Sequence, residues 1–284
     1  MLTDAHCHPY DLRKIFPGME EERRRLGALC AASASDREEF EYNERLAAQA
    51  KADSAIALFP CFAVHPQSAA YIGSLAGDAE RQDTGAVIDG RLKLLENLAG
   101  QGRLAAVGET GFDLYNAQYR ETEAIQDKIF AIHVEIALRF ELPLVLHVRR
   151  AMHKIFAVSA KLKKCRAVVF HSWSGTAGEA QALLGRGINA YFSFGTPLLL
   201  NRGRAMLSCA SLPAQRLLLE TDAPYQPLYK TGRQYSSWED LPAILNAAAA
   251  LLREAGSQVS DAAELEHLIE GNFHEVFALP AANH

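Results

Sequence analysis

The sequence predicts a (β/α)8 barrel, and three observations predict it. Short apolar, β-branched runs alternate with longer segments of helical period, the pattern of a parallel sheet flanked by helices. Eight such runs can be read, which is the number that closes a barrel. Polar side chains of metal-binding type follow many of these runs, and a barrel gathers such strand ends at one mouth. A doubly wound open sheet would instead place its ligands at a single switch point. Single α/β barrels commonly run to about 250 residues, so residues 1–284 are read as one domain.

In chain order, the strands fall at Leu2–His6, Gly27–Ser33, Ile56–Val64, Leu104–Gly108, Leu144–His147, Ala167–Phe170, Ile188–Ser193 and Arg216–Glu220. The first helical segment, Glu38–Ala52, starts behind a capping Asp36 with Glu39 three residues on. Further segments of helical period are Val87–Ala99, Ala117–Phe140, Met152–Leu162, Ala177–Leu184 and Arg202–Cys209. After the last strand come Leu241–Glu254 and Asp261–Phe277, the second placed to close the bottom or side of the barrel. Gln67–Thr84 and Gln226–Ser237 read as long loops, and long loops in a compact domain are often functional.

The hydrophobic fraction of 49% and charged fraction of 22% are those of an ordinary globular protein. Lys and Arg total 29 against 34 Asp and Glu, and a formal charge of -5 argues against a broad basic nucleic-acid footprint. It leaves room for a local cationic cleft, or for a metal site that itself attracts phosphate. The five cysteines (Cys7, Cys30, Cys61, Cys165, Cys209) are scattered, odd in number and without CxxC spacing. They fit buried positions in a reducing compartment better than a disulfide framework. The chain opens on a strand pattern rather than a basic-then-apolar leader, and its apolar runs fall short of the roughly 18 residues that span a bilayer. The expected location is the cytoplasm.

The first strand ends Asp4-Ala5-His6-Cys7-His8. Side chains at i and i+2 share a face of a strand, so Asp4, His6 and His8 point one way and Cys7 the other. Two imidazoles about 7 Å apart along a strand can tilt onto one ion beyond its end. The third strand runs into His65-Pro66, and the fourth into Gly108-Glu109-Thr110-Gly111-Phe112-Asp113. The fifth gives His147-Val148-Arg149, the sixth His171-Ser172-Trp173, and the eighth Glu220-Thr221-Asp222-Ala223-Pro224. Any one of these has a plain explanation: a satisfied rim histidine, a turn carboxylate, an aspartate that starts a turn. Recurrence of six metal-type side chains at the same end of separate strands does not. Four imidazoles and two carboxylates suffice for two ions that share a carboxylate. His133, His153, His267, His274 and His284 fall in helical or terminal positions and are read as structural. Trp173, beside His171, is a candidate wall of the site, and Trp238 a packing residue.

The series DAHCH, VGETGFD, LPLVLHVR, FHSWSG and LLLETDAP resembles the TatD-type metal-dependent hydrolases, within the amidohydrolase-like barrels, in the expected order over nearly the whole chain. The resemblance implies a deoxyribonuclease, in some members a 3′–5′ exonuclease, that uses two divalent cations. It implies that His6 and His8 bind one ion with Asp222, and that Glu109 bridges to a second held by His147 and His171. His65 and Arg149 match positions near the scissile phosphate. The cations expected are zinc, manganese or magnesium, and the expected partner is DNA or RNA as substrate. Two segments depart from the family: Ala63-Val64-His65-Pro66-Gln67 lacks its usual Gly and second His, and Gly232-Arg233-Gln234-Tyr235-Ser236-Ser237 stands where Arg-Asn-Glu-Pro is usual. The second departure bears on substrate preference rather than on metal chemistry.

Asp222 is then the expected general base or proton shuttle, with Glu109 the bridge. Arg149 is the planar fork for phosphate oxygens, and His65 donates to the same phosphate or protonates the leaving group. Two other readings stand beside this one. The same ions could activate water against a cyclic amide, lactone or ester, or the barrel could be a non-catalytic binding protein. A complete ligand set argues against the last.

Overall fold

A computed structural model of the protein describes residues 1–70, 81–229 and 232–278. Eight strands, β1 (Thr3–Cys7), β2 (Leu29–Ala32), β3 (Leu58–Phe62), β4 (Ala106–Asp113), β5 (Leu144–Arg149), β6 (Val168–Phe170), β7 (Ala190–Phe194) and β8 (Leu217–Leu219), lie side by side in chain order. Every consecutive pair is parallel. The β8–β1 seam is drawn together just past β8, where Asp222 N donates to His6 O at 3.0 Å and His8 N to Ala223 O at 2.7 Å. The predicted (β/α)8 architecture is thus the one observed.

The period of two along each strand separates two cores. One cluster takes residues from all eight strands (Ala5, Ala31, Cys61, Ala106, Val145, Val169, Tyr191, Leu218) and meets Phe273, Val276 and Phe277. This is the barrel interior. It is plugged by the last helix, Ala262–Phe277, in the closing position expected from the sequence. Strand neighbours of the other parity, such as Val107, Leu144, Leu146, Phe170 and Phe192, pack with helix residues in a larger outer cluster.

Helix α1 (Pro9–Ile15) and helix α2 (Met19–Leu26) lie between β1 and β2, where the sequence reading has no element. Their patterns explain the omission. Helix α2 is Met-Glu-Glu-Glu-Arg-Arg-Arg-Leu and carries no apolar stripe; its acidic first turn and basic last turn suit the helix dipole instead. It is anchored by the buried Arg23, which donates to Ala28 O at 3.0 Å and Ile56 O at 2.9 Å and pairs with Glu20. Only the folded chain brings those carbonyls to it.

The capped helix α3 (Arg37–Ala52) begins as expected, with Glu39 N donating to Asp36 Oδ1 at 3.1 Å. Helix α4 (Arg81–Gly100) starts six residues before the expected Val87 and takes in the end of the predicted 67–84 loop, whose residues 71–80 lie outside the described ones. The predicted Ala117–Phe140 helix is two, α5 (Ala117–Glu121) and α6 (Glu123–Arg139). At the break the Tyr119 carbonyl is taken by side chains, Thr122 Oγ1 at 2.9 Å and Gln126 Nε2 at 2.9 Å. The Met152–Leu162 segment is likewise divided at Val158, and the structure shows no evident cause for that break. Among the described residues, no helix is long and apolar enough to cross a membrane.

Candidate metal centre

Glu109 stands at the middle of the mouth because β4 can lie unusually close to β5. A Cβ on Gly108 would meet Val145 Cβ at 2.5 Å, and one on Gly111 would meet His147 O at 2.2 Å. Gly111 also has φ +130, a conformation that other residues rarely adopt. The ladder slips between Gly108 and Thr110, and a slip of this kind re-aims the side chain it carries. Glu109 therefore projects a buried carboxylate among imidazoles from both halves of the barrel.

Its two oxygens face different groups. Oε1 lies 2.7 Å from His147 Nδ1, 2.9 Å from His171 Nε2 and 3.3 Å from His65 Nε2. Oε2 lies 3.2 Å from His6 Nε2 and 3.8 Å from His8 Nε2. Asp222 Oδ1 completes the second group, 3.6 Å from His6 Nε2 and 3.5 Å from His8 Nε2. His6 and His8 present their Nε2 atoms to each other at 3.1 Å, and the His6 and His171 rings are 4.0 Å apart. Ligand atoms so crowded need a proton or a cation between them. Among the described residues, three sets have the composition to hold a metal: His6, His8 and Asp222; His6, Glu109 and His171; His65, Glu109 and His147.

The far sides of His147, His171 and His6 also meet polar groups. His147 Nε2 is 3.1 Å from Asp113 Oδ2, which also accepts Gln67 Nε2 at 2.7 Å. His171 Nδ1 is 3.3 Å from Glu220 Oε1, and that oxygen accepts the Ser172 N–H at 2.7 Å. His6 Nδ1 is 3.1 Å from Ser33 Oγ. Hydrogen-bonded partners such as Asp113 and Ser33 fix the tautomer and aim of a metal-binding histidine. Asp222 has φ 51 and is held in that conformation by Tyr225 N donating to Asp222 O at 2.7 Å. Gln226 Nε2 donates to Asp222 Oδ2 at 2.9 Å and to Ser172 Oγ at 2.7 Å.

His65 differs from the others. Its Nδ1 accepts the Gln67 backbone N–H at 3.2 Å, so a neutral ring carries its proton on Nε2, facing Glu109. Burial pushes His65 below the usual imidazole range, against the opposing pull of Glu109, and so keeps the ring neutral. A protonated Nε2 makes His65 a donor rather than a metal ligand.

The electrostatics suit a cation. Burial alone would raise the Glu109 carboxyl, but the surrounding His65, His171 and His6, with the hydrogen bond from His147, hold it well below the usual range. Burial likewise opposes ionisation of Asp222, and His8, His171 and His6 overcome it. His8, His147 and His171 are all raised, because their carboxylate neighbours outweigh burial. Without a cation, protons take up the charge balance.

The structure brings His6, His8, His65, Glu109, His147, His171 and Asp222 into one cluster. Arg149 does not join it; it is exposed at the end of β5, its guanidinium over the Tyr115 ring at 3.7 Å from the centroid. Asp4 has turned from the mouth to the seam, where Oδ1 accepts Thr221 N at 3.0 Å and Oδ2 accepts Thr221 Oγ1 at 2.6 Å. Trp173 is a correction: it does not wall the site but is buried against Phe170 and Phe192, with ring centroids 5.5 and 4.8 Å away. Trp238 is fully buried, as a packing residue should be. His133 is structural and buried, whereas His284 lies outside the described residues. Asp113, Glu220, Ser33 and Gln226 support the site without being candidates in the sequence reading. Asp113 and Glu220 had a signal, each being a carboxylate within four residues of a candidate ligand at a strand end.

A closed parallel barrel with a histidine–carboxylate centre at its mouth defines the metal-dependent hydrolase class of barrels. The sequence model of the TatD related DNase family matches residues 3–278, and the chain belongs to that family. The chain is 36% identical over 165 residues to the 3′–5′ ssDNA/RNA exonuclease TatD of Cronobacter sakazakii, covering 55% of this chain and 60% of that one. It is 32% identical over 212 residues to the enzyme of the same name from Edwardsiella piscicida, covering 71% and 75%. The chain thus spans well under two thirds of the length of some curated relatives, for one from Escherichia fergusonii 49%. Among solved structures, YJJV, a TatD homolog from Escherichia coli, superposes with a TM-score of 0.72 at 25% identity over 98% of both chains. An uncharacterized amidohydrolase from Saccharomyces cerevisiae shares the fold, with a TM-score of 0.72 at 17% identity over 97% of this chain and 99% of that one.

Proposed function

We propose that the chain is a divalent-metal-dependent phosphodiesterase acting on nucleic acid, a TatD-like deoxyribonuclease working as a 3′–5′ exonuclease. The observation that carries this reading is the division of Glu109, with Oε1 toward His147 and His171 and Oε2 toward His6 and His8. A carboxylate so placed suits a bridge between two cations, one held by His6, His8 and Asp222 and the other by His147 and His171. Four imidazoles favour zinc or manganese over magnesium, which prefers oxygen ligands. When bound, the cations would polarise the phosphoryl group and lower the pKa of a water.

The remaining work falls to the chain. Asp222 takes the proton of the attacking water through Oδ1, while Gln226 holds Oδ2 at 2.9 Å. As the new P–O bond forms and the old one breaks, neutral His65 donates a hydrogen bond from Nε2 to a phosphate oxygen, and the leaving oxygen takes its proton from solvent. The proton on Asp222 then returns to solvent. Arg149 forks onto the non-bridging oxygens, whose charge a phosphodiester spreads more widely than an amide does. Matches to exonucleases that act on single-stranded DNA and RNA support a nucleic-acid substrate. Five buried free cysteines accord with a cytoplasmic enzyme, and residues 1–284 are taken as one domain.

The test is a screen of metal-reconstituted protein on single-stranded DNA, RNA, a simple aryl phosphodiester, cyclic amides and lactones. Turnover of the phosphodiesters is expected, with DNA preferred. Hydrolysis confined to the amides or lactones would overturn the reading.

A further inference from the structure

The mouth also carries exposed aromatic rings on two sides. Tyr225 follows Asp222 by three residues; its ring is 5.1 Å from the His8 ring at an interplanar angle of 76°. The hydroxyl donates to Asp11 Oδ2 at 2.6 Å, and the Asp11 carboxylate is also paired with Lys14 Nζ at 2.8 Å. The backbone N–H donates to Asp222 O at 2.7 Å. Tyr225 is thus tied at both ends, yet 57% of its surface is exposed. Burial does not explain a large ring held in this way, because it hides little of its apolar area.

In a ring of eight strands, β4 lies opposite β8. Past β4 stands Tyr115, 43% exposed, with Arg149 at 3.7 Å and Arg150 at 4.6 Å from its centroid. Arg150 is held there with φ 56, its Nη1 donating to Tyr115 O at 3.4 Å. Arg149, Arg150 and the Tyr115 ring therefore follow strands β5 and β4, on the other side of the ring of strands from β8, which the tethered Tyr225 follows.

A linear polyanion bearing flat apolar groups matches this layout. Single-stranded nucleic acid is such a ligand, whereas a duplex keeps its bases stacked away from the protein. We infer that Tyr225 is the platform for the 3′-terminal base of a single strand, whose adjoining phosphates lie along Arg149 and Arg150 over Tyr115. The inference rests on the nuclease reading above and adds to it the residue that grips the base. Tyr225 suits this task because its tether removes in advance the ring motion that stacking would otherwise have to freeze.

The experiment uses a short single-stranded DNA with 2-aminopurine, whose fluorescence falls on stacking, either at the 3′ end or at mid-strand. With metal-free protein, quenching is expected from the 3′-terminal probe. It should be lost in Tyr225→Ala and kept in Tyr225→Phe, which retains the ring. In the metal-loaded enzyme, Tyr225→Ala should raise KM for the oligonucleotide roughly tenfold or more, with a smaller change in kcat. Quenching that is absent, confined to the mid-strand probe or indifferent to Tyr225→Ala would overturn the inference. Wild-type turnover of an aryl phosphodiester, which has no base, reports on the nuclease reading alone, so the two failures are distinguishable.

Discussion

The Asp4 carboxylate receives the Thr221 hydroxyl at 2.6 Å and the Thr221 backbone N–H at 3.0 Å, linking the first strand to the residue before Asp222. The Thr221 hydroxyl also accepts the Ala223 N–H at 3.1 Å, so its own hydrogen must go to Asp4. This latch closes the barrel directly beneath the His6–His8–Asp222 group. In Asp4→Asn one acceptor becomes a donor, and a buried donor loses its partner. A loss of about 1–3 kcal/mol in unfolding free energy is expected, read from the denaturant midpoint. Cation affinity should fall with it, and an unchanged midpoint would remove the latch from the account.

Replacing Glu109 should do more harm than replacing His6. Glu109 touches both groups of imidazoles, whereas Asp222 and His8 stay in place when His6 is removed. Glu109→Ala is expected to lower bound metal at both positions and turnover by at least roughly a hundredfold, the order of loss expected for a metal-site residue. His6→Ala should retain the second ion. Metal analysis and turnover of the two variants decide this, and near-normal turnover in Glu109→Ala is incompatible with a bridge.

Asp113 stands behind His147, outside the candidate ligand sets, yet its replacement should be felt at the metal. It sets the orientation of His147 from behind at 3.1 Å. Asp113→Asn is expected to weaken cation affinity by about ten- to a hundredfold, measured by competition with a chelating dye. Full affinity in that variant would show that His147 needs no such support.

Arg149→Lys keeps the charge and loses the planar fork as well as the stacking on Tyr115. Phosphodiester turnover should fall by roughly tenfold, the equivalent of one good charge-assisted hydrogen bond, with bound metal unchanged. Wild-type activity in this variant would rule out the assigned role.

His133 predicts a pH effect. Its Nε2 accepts the Val64 N–H at 3.1 Å and its Nδ1 faces Thr110 Oγ1 at 2.9 Å, so it joins the ends of β3 and β4 next to His65 and Glu109. Burial pushes its pKa down to about 3, from an ordinary 6.5. Between those values the unfolded chain holds a proton that the folded chain does not. Stability is therefore complete above about pH 6.5 and declines as pH falls, at up to about 1.4 kcal/mol per unit. Glutamine can accept from Val64 and donate to Thr110 without titrating. His133→Gln should thus show a shallower loss of stability between pH 6.5 and 4, and parallel curves would refute the mechanism.

Much of this protein is legible in sequence because the relevant signals are local. Strand period and turn residues were enough for eight strands in order, for the closing helix, and for six candidate ligands at strand ends. The Asp36 cap needed only its own neighbours, and so did the outward-facing Cys7, which packs by β2 with Sγ 3.6 Å from Ala31 O. Helix α2 was not legible, since its apolar content is low and its anchor, Arg23, depends on carbonyls at Ala28 and Ile56.

By itself, then, the sequence determined the barrel, the direction of its mouth and the chemical character of the residues gathered there. Tertiary structure alone decided the partners. Asp4 belongs to Thr221 across 217 positions, and Asp113 stands behind His147 across 34. Glu109 turns one oxygen to each group of imidazoles, and His65 carries its proton on Nε2 because of one backbone N–H. The physical reason is that periodicity specifies which face a side chain takes. Which atom it meets there, and with which proton, depends on how distant strands are brought into register when the barrel closes.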